Sequence, residues 1–148
     1  MIAVVQRVLE AKVVVEGRTV GEIGHGLLVL ASVEKDDTPA DVEWTAAKLA
    51  TLRIFRSADG DKHFHRDVKQ VDGSILLVSN FTVSAETKKG RRPSLERAAE
   101  PKRGRELFSL LVDAVKALGV DVATGEFGAD MRIALTNEGP VTFLVNSK

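Results

Sequence analysis

Leu27 to Val33 (LLVLASV) and Ser74 to Val83 (SILLVSNFTV) are the stretches that most restrict what this chain can fold into. Each is apolar at odd and even positions alike, the pattern of a central strand covered on both faces. At 148 residues, 44% of them apolar, the chain suits one domain spanning residues 1–148 around such a centre. Ile2 to Glu16 alternates apolar and polar residues, Gly17 turns it, and Arg18 to Ile23 returns, which predicts an opening hairpin.

Two helices supply the cover. Thr38 offers an N-cap oxygen and Pro39 fits the first turn, and Val42, Thr45, Ala46 and Leu49 then follow helical spacing as far as Thr51. Pro101 opens the second helix, Leu107, Leu110, Leu111, Ala114, Val115 and Leu118 form one stripe, and Gly119 stops it. Leu52 to Arg56 and Val120 to Thr124 read as short extended segments, and Met131 to Leu135 and Val141 to Val145 as a terminal hairpin turned at Glu138, Gly139 and Pro140. Strands grouped before and after two helices predict an α+β fold, a mainly antiparallel sheet or half-barrel with both helices packed on one face.

Composition removes several classes of function. With no cysteine there is no disulfide, no thiolate nucleophile and no cysteine-ligated zinc. The N-terminal apolar run, Ile2 to Val5, is too short for a signal peptide or a membrane span, so a cytoplasmic protein without membrane contact is expected. His63 and His65 would share a strand face, yet with only Asp61 or Asp67 nearby they fall short of a metal site, and no metal or cofactor is expected. His25 lies between two glycines in a turn, a setting for a structural or solvated histidine.

The charges sum to zero but are unevenly placed. Between Lys88 and Arg105 eight basic residues face two acidic ones, a net +6 that leaves −6 to the other 130 residues. A basic strip on an acidic body suits a polyanion docked in one orientation, and equally a solvated loop. Its core, TKKGRRPS, directly follows Ser79, Asn80 and Thr82, polar residues that interrupt an apolar strand and need partners or a ligand. In TNEGPVT, Gly139 can take backbone angles closed to other residues and Pro140 supplies no N–H, so the carbonyls flanking this pair are free to face a ligand.

SNFTV (79–83), TKKGRRPS (87–94), FGADM (127–131) and TNEGPVT (136–142), with VVQRV at the N-terminus and LRIF at 52–55, make the chain resemble the D-aminoacyl-tRNA deacylases over nearly its full length. The resemblance implies a homodimeric ester hydrolase that releases D-amino acids, or glycine mischarged on tRNA-Ala, from tRNA, with aminoacyl-tRNA as partner and no DNA. It implies a catalytic group of Ser79, Asn80, Phe81 and Thr82, and substrate contacts from Phe127, Met131, Asn137, Gly139, Pro140, Val141 and Thr142. It further implies a cis Gly139–Pro140 bond that reaches into the other subunit's site and rejects L-residues. Lys88, Lys89, Arg91 and Arg92 are the tRNA contacts expected from the basic strip.

The sequence departs from the family pattern twice. Asn80 stands where the family has glutamine, and His63 and Phe64 follow Lys62 where it has Met-Asn. The residues fit the chemistry on their own terms, because an activated aminoacyl ester needs a placed water and oxyanion donors more than a strong nucleophile. No Ser-His-acid triad can be assigned, which favours binding roles for Ser79 and Thr82. A tRNA-binding homodimer without chemistry, or a deacylase of altered selectivity, is the alternative.

Overall fold

The computed structural model describes residues 1–148. The opening hairpin is present as β1 (Ile2–Val15) and β2 (Arg18–Ile23), followed by β3 (Gly26–Ser32), α1 (Pro39–Thr51), β4 (Ser74–Ser79), α2 (Pro101–Ala117), β5 (Asp121–Thr124) and β6 (Arg132–Asn146). The sheet runs β2-β1-β3-β4-β5, with β6 also paired to β1. It is mixed: β1 is antiparallel to β2, β3 and β6, while β3–β4 and β4–β5 are parallel. Each parallel step is a β-helix-β crossover in the same direction along the sheet. The fixed hand of such crossovers therefore puts α1 and α2 on one face.

Helices and sheet enclose one core. Val42, Ala46 and Leu49 of α1 and Leu107, Leu111 and Val115 of α2 pack on Ala3, Val5, Leu27, Val29, Ile75 and Leu77. Each fully buried Leu or Val here contributes about 1.5–3 kcal/mol. The N-terminal turn of α1 is set by Asp41, whose carboxylate accepts the Thr38 N–H at 2.9 Å and the Thr38 hydroxyl at 2.8 Å. The expected stripe on α2 is shifted: Gly104 and Phe108 are buried with Leu107, Leu111 and Val115, whereas Leu110 and Leu118 lie outside.

The opposite face of β3 and β4 is covered by the sheet itself. Leu9 is an extra residue in β1, since Val8 pairs with Asn137 and Glu10 with Thr136. That bulge switches which parity of β1 faces inward, so Ala3 and Val5 face the helices while Ala11, Val13 and Val15 join Leu28, Leu76 and Val78 in a second core. There β2 closes over β5. A Cβ on Gly21 would lie 2.1 Å from the Thr124 carbonyl oxygen, a space only glycine fits. The result is a half-closed barrel with two helices on its outer side, and neither helix is long and apolar enough to cross a membrane.

Four sequence expectations are corrected. The terminal hairpin is one strand, β6, whose two halves both pair with β1. Leu52 to Arg56 forms only an isolated bridge, Phe55 to Arg66. β4 stops at Ser79, and Phe81–Ser84 is a 3-10 turn rather than more strand. His63 and His65 lie in the loop before that bridge, on no strand face.

Candidate active site

Two groups of residues emerge, one at each end of the parallel strands. The first stands at the C-terminal end of β4. Asn80 donates its N–H to the Ala31 carbonyl at 2.9 Å, which holds the chain to β3 for one residue beyond the strand. Its side-chain Oδ1 then accepts the Thr82 N–H at 3.2 Å and the Thr82 hydroxyl at 2.6 Å, forcing the turn. Below it Ser84 Oγ bonds the Phe81 carbonyl at 3.0 Å and accepts from the buried Ser32 hydroxyl at 2.8 Å.

This turn borders a cavity of about 590 Å³. Ser79, Asn80 and Phe81 line one side, Phe127 and Met131 another, and Phe108 of α2 the floor, so five of the expected site residues meet here. The walls are mostly apolar and include no histidine, with Glu100 the one ionisable side chain. Thr82 is outside the lining, and its hydroxyl proton is committed to Asn80. Phe127 is held from behind: the Arg105 guanidinium lies 4.7 Å over its ring and donates to its carbonyl at 3.4 Å, while the Phe108 ring is 6.1 Å away.

The second group is a protrusion of β6. Asn137 pairs with Val8 and Thr142 with Gln6, so residues 138–141 stand opposite Arg7 alone. Gly139 has φ +152° and its bond to Pro140 is cis, as the resemblance implies. Both residues are exposed at the tip. Asn137 closes the base, its Nδ2 lying 3.0 Å from Gln6 Oε1, 3.2 Å from the Val141 carbonyl and 3.2 Å from Thr142 Oγ1, while Oδ1 accepts the Val141 N–H at 2.9 Å.

One of the carbonyls expected to be free is not. Glu138 O accepts from Arg7 Nε at 3.1 Å, and Arg7, 3% exposed, also gives Nη1 to the Ile54 carbonyl at 2.7 Å. The same Nε lies 3.1 Å from the Glu138 carboxylate. Arg7 is absent from the residues that the sequence singles out, although a lone arginine inside VVQRV is the signal that could have found it.

The two groups do not meet within one chain. The protrusion sits opposite Arg7, which pairs with Leu27 near the start of β3, whereas Ser79 pairs with Ala31 near its end. Four residues of strand separate them, about 13 Å. Lys88, Lys89, Arg91 and Arg92 are exposed on the loop after the cavity turn, pinned at its base by the Glu86–Ser94 bridge, and none of them is ion-paired.

Known proteins resemble the chain along nearly its whole length. The profile of the family described as D-Tyr-tRNA(Tyr) deacylase covers residues 4–146. A D-aminoacyl-tRNA deacylase of Geobacter sulfurreducens is 50% identical over all 148 residues and 96% of its own length. One of Pelobacter propionicus is 53% identical over 98% of this chain and 99% of its own. Among solved structures, one described as c-Myc DNA Unwinding Element Binding Protein superposes with a TM-score of 0.94 at 32% identity over 100% of this chain and 99% of that one. A probable eukaryotic D-amino acid tRNA deacylase shares the fold, with a TM-score of 0.85 at 17% identity over 97% of each. With full-length relatives near 50% identity and a profile match from end to end, the chain belongs to the D-Tyr-tRNA(Tyr) deacylase family, enzymes that hydrolyse the ester of aminoacyl-tRNA.

Proposed function

We propose that this deacylase works as a homodimer in which one subunit's Gly139–Pro140 protrusion completes the other subunit's Ser79–Phe81 cavity. The observation that carries the reading is the separation of the two groups within one chain, with an exposed tip on one side and an open cavity on the other. The free edge of β6 supports it. That edge exposes Leu135, Phe143 and Leu144, and the exposed Phe64 ring packs edge-on against Phe143 at 5.8 Å. A long apolar edge left bare is an invitation to pair.

In the completed site the terminal adenosine and ester occupy the cavity. The Asn80 and Thr82 N–H groups are already spent inside the turn, which leaves the Phe81 N–H and Asn80 Nδ2 as donors for the developing oxyanion. A water attacks the ester carbon, the C–O bond to the ribose breaks, and the leaving oxygen recovers the proton that water gave up. Ser79 and Thr82 orient rather than attack, since no base stands beside either. The Gly139 and Pro140 carbonyls receive the substrate's α-ammonium. A D-residue turns its Cα–H to this main chain, an L-residue drives its Cβ into it, and glycine passes for want of a Cβ, so glycyl-tRNA-Ala is a substrate too. The basic loop holds phosphates of the acceptor end.

Mixing two inactive variants tests the shared site. In heterodimers of Asn80→Ala with Gly139→Trp, whose bulky side chain would block the cavity it enters, one site has both halves intact, so randomly mixed subunits should recover roughly a quarter of wild-type deacylation. A mixture as inactive as its components would refute the cross-subunit assembly.

A further inference from the structure

His25 takes no part in the scheme above, yet it touches the protrusion. Its Nε2 lies 3.2 Å from Glu138 Oε2, the same carboxylate oxygen that Arg7 Nε reaches at 3.1 Å. Glu138 is therefore gripped from two sides, by a buried arginine beneath and a half-exposed imidazole above, immediately before Gly139. The imidazole is itself braced. It stands edge-on to the buried Phe55 ring at 5.2 Å and 80°. The main chain beside it is locked, because the Ser74 N–H donates to the His25 carbonyl at 3.2 Å and a Cβ on Gly26 would fall 1.9 Å from the Ser74 oxygen.

We propose that His25 is a positioning residue for stereochemical selection: it steadies Glu138, and through it the Gly139 carbonyl, more firmly when the imidazole is charged than when it is neutral. This rests on the chirality reading of the protrusion given above. Histidine is the side chain whose charge changes between about pH 5 and 8, and an imidazolium facing a carboxylate gains an ion pair that a neutral ring lacks. The groups facing His25 are Glu138 on β6, Arg7 on β1 across the same carboxylate, and the uncharged Phe55 after α1; no other side chain is bonded to it. Arg7 keeps its charge throughout. The pair is partly exposed, which limits the effect to about two- to fivefold.

The experiment measures hydrolysis of D-Tyr-tRNA and L-Tyr-tRNA at enzyme excess from pH 5.5 to 8, in wild type, His25→Gln and Gly139→Ala. The ratio of the two rates cancels the pH dependence of the chemical step common to both esters. In wild type the D-over-L ratio should rise about two- to fivefold toward acid pH. His25→Gln, which keeps a neutral donor, should hold the alkaline ratio at every pH while its thermal melting stays close to wild type. A flat wild-type ratio, or a His25→Gln profile that follows wild type, overturns the role of His25 alone. If Gly139→Ala keeps full rejection of the L-ester, the chirality reading falls and this proposal falls with it.

Discussion

Asn137 and Val141 are bonded to each other twice, Val141 N–H to Asn137 Oδ1 at 2.9 Å and Asn137 Nδ2 to the Val141 carbonyl at 3.2 Å. A side chain thus replaces the ladder bonds that the main chain gives up where residues 138–141 leave β1. From the sequence, Asn137 is expected among the substrate contacts; in the structure its donor and acceptor are turned inward to Val141, Gln6 and Thr142.

Asn137→Ala should therefore open the base of the protrusion. It removes bonds each worth about 0.5–1.5 kcal/mol net, so stability should drop by about 1–3 kcal/mol in urea unfolding. Discrimination between D- and L-esters should fall by more than kcat does, because the cavity lies at the other end of β3. A variant with wild-type selectivity would detach Asn137 from the filter.

Asp41 predicts an acid limit. Burial tends to raise its pKa, but hydrogen bonds from the Thr38 N–H and the Ser147 and Thr38 hydroxyls, with the charge of Lys148, outweigh it and lower the value from 3.8 to about 2. A carboxyl lowered on folding contributes stability in full above pH 3.8, and that contribution is lost as pH falls toward 2. Asp41→Asn should be less stable at pH 6 and flatter in its melting temperature between pH 4 and 2.5, approximately the window of the shift. Parallel profiles for the two proteins would contradict this.

Much of the fold is legible in the sequence because it rests on local signals. The alternation of Ile2 to Glu16, the Thr38-Pro39 start and the stop at Gly119 each act within a few residues, and each element appears where they put it. What fails depends on distant partners. Two apolar runs around Gly-Pro read equally as a hairpin or as one strand with a protrusion. A 14-residue β1, long enough to pair with both halves, decides for the strand. The partners of Arg7 are hidden for the same reason, its acceptors lying 131 and 47 residues away. On α2, Phe108 and Gly104 displace Leu110 from the core because the Phe127 ring rests against Gly104, where a Cβ would already be 3.4 Å from it. The cavity residues stand out by composition, but their turn does not, since Asn80 ends β4 with its own side chain.

The basic loop should govern affinity for tRNA and little else. Replacing Lys88, Lys89, Arg91 and Arg92 together by alanine should weaken binding of uncharged tRNA. It should also lower the log–log salt slope by about 0.7–0.9 for each phosphate that is no longer neutralised. Stability should stay near wild type, because all four side chains are exposed and unpaired. An unchanged slope would move the tRNA-binding surface elsewhere.

The last prediction concerns Asn80, one of the two places where the sequence reads as a departure from the family pattern. Oδ1 of Asn80 caps the turn through Thr82, and in the proposed site Nδ2 serves the substrate. Asn80→Ala removes both, so it should cost about 1 kcal/mol through the lost cap and reduce kcat by more than that change in stability explains. Asn80→Gln separates them. The longer amide reaches further into the cavity but caps less well, so deacylation should be kept or raised while the turn loosens, a split visible as preserved kcat with a lower melting temperature. If Asn80→Gln instead lost activity as completely as Asn80→Ala, the cavity would be fitted to asparagine. The short side chain would then be part of how this enzyme sizes its substrate.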